Sequence, residues 1–189
     1  MRRFVLPLLL LLTACLLSAC ASNTVRLLYS PAEPGTLPAS SAKRVSVVML
    51  EDKREKQAIG IRSDSTPFAA SSPVADWVSR SVGDALLKQG VQVSYAATTA
   101  EAKRAKPDYI VSGSINEVWL TEGSAASVAA TIRLSLHMAD ANGTNVYAEN
   151  LSANQERKVL TSGDLENLLS GTLRDITTPA ARKMAGLLR

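Results

Sequence analysis

Residues 126–138 alternate with a period of two: Ala126, Val128, Ala130, Ile132, Leu134, Leu136 and Met138 are apolar, and Ser127, Thr131, Arg133, Ser135 and His137 lie between them. A β-strand turns successive side chains to opposite faces, so this stretch predicts a strand buried on one side. Asp140-Ala141-Asn142-Gly143-Thr144 follows. An Asn-Gly pair permits positive φ at both positions of a tight turn, which predicts a hairpin returning through about 145–157. Tyr109 to Leu120 reads as a long strand with Tyr109, Val111, Gly113 and Ile115 on one face, Gly113 marking a bulge or a close backbone approach. Val45 to Leu50 is an apolar, β-branched run suited to a buried strand, and Val91 to Tyr95 is a shorter one.

Helical spacing appears in three places. Between residues 72 and 90, Val74, Trp77, Val78, Val82, Ala85 and Leu86 recur at steps of three and four. Ser72 is placed as N-cap, Pro73 at the first helical position and Gly90 just past the end. Trp77 reads as a core anchor. Thr99 to Ala105 predicts a short helix stopped by Pro107. From about Gly163, Leu165, Leu168, Leu169, Leu173, Ile176, Met184, Leu187 and Leu188 form a stripe behind a Thr161/Asp164 capping box. Pro179 should kink or break that helix, because it removes a donor to the carbonyl of Asp175.

Amphipathic helices and half-buried strands bury their apolar sides together when one sheet face receives both helices. The expected fold is therefore a two-layer α+β domain, with a mostly antiparallel sheet of about four to five strands and two main helices on one face. Two stretches fall outside this scheme. Glu51-Asp52-Lys53-Arg54-Glu55-Lys56 is an unbroken charged run, expected as a solvated loop, and a Ser-rich loop is expected from Ile59-Gly60-Ile61 through Ser72. The domain is set at 45–189. Residues 20–44, rich in Ser, Ala and Pro with only Val25 to Tyr29 strand-like, form a tether whose reach is roughly 25–30 Å.

The N-terminus changes the setting. Arg2-Arg3, an apolar run from Phe4 to Leu12 and small residues before Cys20 have the layout of a signal peptide over 1–19. The apolar stretch to Leu17 is interrupted and shorter than the ~20 residues that span hydrocarbon. Leu17-Ser18-Ala19-Cys20 resembles the bacterial lipobox, which implies diacylation of Cys20 and cleavage before it. Leu12-Thr13-Ala14-Cys15 fits the same pattern; polar Ala21-Ser22-Asn23 after Cys20 favours the second site. Buried lipid contributes about 0.8 kcal/mol per CH2, and the multiple chains on such a Cys anchor without a transmembrane span. Ala21 after the Cys resembles the outer-membrane sorting class.

Composition narrows the chemistry. With two Cys and one His in 189 residues, zinc clusters, iron-sulfur centres and disulfide scaffolds are not expected, nor is any cofactor beyond the lipid on Cys20. His137 falls on the polar side of its strand. Loss of Arg2 and Arg3 lowers the formal net charge from +4 to +2, and aromatics are 4% of the chain, so nucleic acid is not an expected partner. There is no Gly-x-Ser-x-Gly elbow, and an enzyme is not expected.

The lipobox at Cys20, the Val45–Leu50 strand followed by Asp52-Lys53-Arg54 and Ile59-Gly60, the helix through Leu86-Leu87-Lys88-Gln89-Gly90-Val91, and Tyr109-Ile110-Val111-Ser112-Gly113 with the downstream hairpin resemble the YajG-like family of bacterial lipoproteins. The layout is also similar to the PqiC-like auxiliary lipoproteins of ABC-type lipid transport and to LptE-type lipoproteins. The resemblance spans nearly the whole mature chain and transfers no catalytic residue. Asp52 and Arg54 are the family-like polar residues, readable as an interaction site or as an internal ion pair. The function expected is a non-catalytic accessory or interaction protein, anchored at the periplasmic face of the outer membrane and bound to an envelope protein. The alternative is a lipid- or glycan-binding module, such as an auxiliary component of envelope lipid transport. It requires an apolar cleft between helices and sheet, or an exposed polar face with Arg133 and Trp119 close together.

Overall fold

A computed structural model describes residues 23–27, 38–39 and 41–188. The expected leader and Cys20 lie outside the described residues. In chain order the elements are β1 (Thr24–Val25), β2 (Arg44–Val48), β3 (Glu51–Asp52), β4 (Gly60–Ile61), β5 (Pro67–Ala70), α1 (Val74–Leu87), β6 (Gln92–Ala96), α2 (Thr99–Arg104), β7 (Tyr109–Glu122), β8 (Ser127–Asp140), β9 (Asn145–Lys158) and α3 (Ser162–Leu187).

The sheet is mixed and, among the described residues, has nine strands rather than four or five. Its main antiparallel part is the meander β7–β8–β9, three strands of 14 residues each. Along its other edge β7 is too long for one short partner, and the segment 44–61 supplies three in turn, all parallel. Val45–Val47 lies beside Tyr109–Val111, Glu51–Asp52 beside Ser114–Ile115, and Gly60–Ile61 beside Leu120–Thr121. The expected solvated charged run therefore begins as a strand. Backbone hydrogen bonds need no apolar side chains, so β3 left no periodic trace.

The Ser-rich stretch likewise contains β5, which pairs antiparallel with β4 and parallel with β1. Val25 and Leu27, inside the stretch read as tether, are buried at 3% and 6% exposure. Arg62 holds this end by donating to Asn23 Oδ1 at 2.9 Å.

Helices α1 and α3 cover one sheet face and touch each other, as the two stripes predicted. Val111, Ile115, Val118 and Leu120 of β7 and the even residues Val128 to Met138 of β8 meet Trp77, Val82, Leu86, Leu168, Leu173 and Met184. Full burial of a side chain such as Leu or Ile contributes about 1.5–3 kcal/mol. The small helix α2 sits on the opposite face at one corner, where Ala102 closes over Val48, Ala96 and Ile110.

Three local expectations are corrected. The N-cap of α1 is Pro73, not Ser72, whose hydroxyl donates instead to the carbonyl of Leu27. Helix α3 runs unbroken through Pro179, which is exposed, so the freed carbonyl costs little where water can reach it. At the hairpin only Gly143 has positive φ, at 86°, because the Asp140 carboxylate closes the loop by accepting from the N–H groups of Asn142 and Thr144. The Thr161/Asp164 capping box is formed as the sequence indicated.

Candidate interaction surface

The sheet face away from α1 and α3 is open beyond α2, and one irregularity decides what it displays. Alternation continued from Ile115 would carry Glu117 and Trp119 into the core and turn Val118 and Leu120 outward. The register between β7 and β8 slips between Ile115 and Glu117, leaving Asn116 as the extra residue of a bulge. Val118 and Leu120 then fall to 1% and 0% exposure. Glu117 and Trp119 lie on the open face opposite Arg133 and Thr131. The bulge is not at Gly113; there the strands approach so closely that a Cβ would lie 2.1 Å from the carbonyl oxygen of Ser135.

Asp52 and Arg54 close the loop beside this face. The guanidinium donates through Nε and Nη2 to the two Asp52 oxygens, at 2.8 Å each, and through Nη1 to the carbonyl of Ala58 at 3.5 Å. Such two-pronged pairing fixes orientation as well as charge. The side-chain hydrogen bonds from Arg54 hold the Asp52 carboxyl below the usual carboxylate range. The two residues face each other.

Between the closed loop and β7 lies a cleft of about 440 Å³, lined by Lys53, Lys56, Asn116, Glu117, Trp119 and Arg133 among others. The Lys56 ammonium stands 4.7 Å from the centroid of the half-buried Trp119 ring. Arg133 Nε is 3.2 Å from Glu117 Oε2. The structure thus brings Trp119 and Arg133 to one site on the exposed polar face.

From this cleft a row of hydrogen bonds crosses the strands: Ser114 Oγ to Asn116 Oδ1 at 3.1 Å, Asn116 Nδ2 to Ser135 Oγ at 2.8 Å, and Ser135 Oγ to Asn150 Oδ1 at 2.7 Å. A second row joins Asn154 Nδ2 to Thr131 Oγ1 at 2.9 Å. His137 is exposed on this face, in keeping with its place in the alternation.

The other surface of interest is the outer edge of β9, which among the described residues pairs with β8 alone. Val159 N–H donates to the carbonyl of Ala126 at 2.8 Å. Inward bonding repeats every second residue in an antiparallel ladder, so the odd-numbered residues of β9 bond to β8. Ala148, Asn150, Ser152, Asn154 and Glu156 therefore turn their N–H and C=O groups away from the sheet. Natural edges are usually blunted by proline, lysine or brevity, yet between Val146 and Gln155 there is neither Pro nor Lys. Helix α3 braces β9 from the core side, Lys183 Nζ reaching the Glu149 oxygens at 2.6 and 2.9 Å; within β9, Tyr147 donates to Glu149 at 2.7 Å. Burial of Tyr147 and that hydrogen bond push its phenol above the usual range.

Sequence reasoning named Asp52, Arg54, Trp119 and Arg133 but missed Lys56, Asn116 and Glu117. The adjacent polar pair Asn116-Glu117, standing where apolar residues change from odd to even positions, was the available signal. Among the described residues no group of His, Cys, Asp and Glu could hold a metal ion, and no helix is long and apolar enough to cross a membrane.

No family model and no curated protein matches the chain. Solved structures do share its fold. A Xanthomonas campestris protein of the family DUF330 aligns over 87% of this chain and 95% of its own, with a TM-score of 0.62 and 13% identity. PelC from Paraburkholderia phytofirmans, a dodecamer, aligns over 77% of this chain and 90% of its own, with a TM-score of 0.54 and 15% identity. A hypothetical protein from Chlamydia trachomatis covers 78% of this chain and 98% of its own, with a TM-score of 0.53 and 13% identity. At these identities the likeness is one of fold.

Proposed function

We propose that the chain is a lipid-anchored lipoprotein of the cell envelope, a non-catalytic accessory or interaction protein held at the periplasmic face of the outer membrane. The lipobox ending at Cys20 and the YajG-like layout support the anchor. The observation that carries the interaction role is the outer edge of β9. Five residues there direct their backbone groups outward, in a strand braced from behind by Lys183 of α3. A partner strand laid along that edge satisfies those groups without rearranging the domain. PelC, similar in fold, is a dodecamer, so a second copy of this chain is among the partners that such an edge would suit.

The test is co-purification of the membrane-inserted chain in mild detergent, read by mass spectrometry and by particle mass, with Cys20→Ser as the unanchored control. A stoichiometric complex or a defined homo-oligomer supports the proposal; a monomer recovered alone defeats it. The second reading, a lipid- or glycan-binding module, is favoured by the meeting of Trp119 and Arg133 in one cleft on a polar sheet face.

A further inference from the structure

We propose that the cleft between Trp119 and the 53–58 loop binds a pyranose ring bearing one carboxylate, a uronic-acid unit of a saccharide, with Lys56 as counter-ion and Trp119 as platform. Such a site rests on the glycan form of the second reading and makes it specific.

A ring surface comes first. The bulge at Asn116 puts an indole on a face where Ser, Thr, Asn, Ala and charged side chains predominate. A pyranose is apolar on its C–H face and polar round its rim, so it matches an aromatic surface bordered by amides and hydroxyls. The rim groups are present: Asn116, hydrogen-bonded to Ser114 and Ser135, leads on to Asn150. Asn116 belongs both to this lane and to the lining of the cleft, whose volume of about 440 Å³ lies within the ~300–1,000 Å³ of small-ligand sites.

The charge follows from which cations are already engaged. Lys53 is 3.1 Å from Glu51, Arg54 is bound to Asp52, and Arg133 is 3.2 Å from Glu117. Lys56 has no carboxylate in salt-bridge range among the described residues; its ammonium rests on the Trp119 ring. Glu55 and Glu117 also line the cleft, so one uncommitted cation beside two carboxylates suits a singly charged ligand better than a phosphate dianion. Binding moves the ammonium from the ring to that carboxylate and exposes the indole to the sugar. Of the lining, Ala58, Val118 and Trp119 are the apolar members, too few to seat an acyl chain.

The experiment titrates the full-length chain in mild detergent with trigalacturonic acid, following tryptophan emission and, in parallel, calorimetry. Trp77, 3% exposed, provides the unchanging background that reports an intact fold. Saturable binding is expected, weakened about tenfold or more in Lys56→Ala and in Trp119→Ala, while Trp119→Phe, which keeps a ring, retains most of it. Maltotriose, neutral, should bind about tenfold more weakly or less well still, and triglutamate, charged but without a ring, should not bind. Equal binding of maltotriose and trigalacturonate overturns the charge assignment and leaves a glycan module standing. Equal binding of triglutamate, or unchanged affinity in Lys56→Ala, overturns the proposed site. Absence of any saccharide binding ends both the inference and the reading beneath it.

Discussion

Arg54 holds the carboxylate of Asp52 with two hydrogen bonds of 2.8 Å, and the arginine is the more hidden of the two, its side chain 8% exposed against 33% for the acid. Removing the acid leaves a nearly buried guanidinium with one long bond to Ala58. Charge-assisted hydrogen bonds are worth about 1.5–3 kcal/mol, and partial exposure of Asp52 puts the expected cost of Asp52→Ala near the lower end, about 1.5 kcal/mol. Urea denaturation at neutral pH measures it, and an unchanged midpoint would show that the pair contributes nothing.

The same pair sets a pH dependence. Because the folded-state pKa of Asp52 lies below its unfolded value, its contribution is complete above the unfolded pKa and disappears as pH falls through the folded one. Stability measured downward from pH 5 should fall, and Asp52→Asn should remove part of that slope. Identical slopes for both chains would contradict the assignment.

Ser79 offers a test in the interior. Its hydroxyl accepts from Leu50 N–H at 2.9 Å and donates to the carbonyl of Ala75 at 2.6 Å. Leu50 and Ser79 are 2% and 4% exposed, so Ser79→Ala strands a buried donor with almost no change in volume. The expected loss is about 1–3 kcal/mol, larger than that of an exposed cap, and chemical denaturation reads it directly.

How far the sequence carried depends on what each element needs. Residues 128–138 and the α3 stripe were legible because burial imposes a period on side chains. The pairs Glu51–Asp52 and Gly60–Ile61 were not, since two-residue strands satisfy only backbone groups and leave no period. For the candidate site, Asp52 and Arg54 stood out through the family resemblance, and only the structure shows them turned on each other. Trp119 could be named but not placed, because its face depends on a slip of one residue at Asn116. Lys56 was hidden in a charged run where nothing local distinguishes it from its neighbours.

The β9 edge can be blocked without touching the inner ladder. Ser152 turns its N–H outward, so Ser152→Pro removes no bond to β8 and is of the kind edge strands tolerate. The variant should stay folded by circular dichroism yet lose the co-purified partner or the homo-oligomer. Full retention of the complex would move the interface elsewhere on the molecule.

Strand phase supplies the sharpest contrast between two deletions in β7. Asn116 is the residue without a register partner in β8, so its removal restores regular alternation and keeps Val118 and Leu120 inside, with Glu117 and Trp119 out. Deleting Trp119 does the opposite. With the bulge retained, Leu120 turns to the open face; with the bulge absorbed, Glu117 enters the core and Val118 leaves it. Either outcome exposes one fully buried side chain, an expected loss of about 2–3 kcal/mol. The Asn116 deletion should be distinctly the milder by thermal denaturation, while severing the Ser114–Asn116–Ser135 row and weakening saccharide binding at the cleft. Equal destabilisation by the two deletions would mean that the bulge, rather than the face each side chain occupies, maintains the strand.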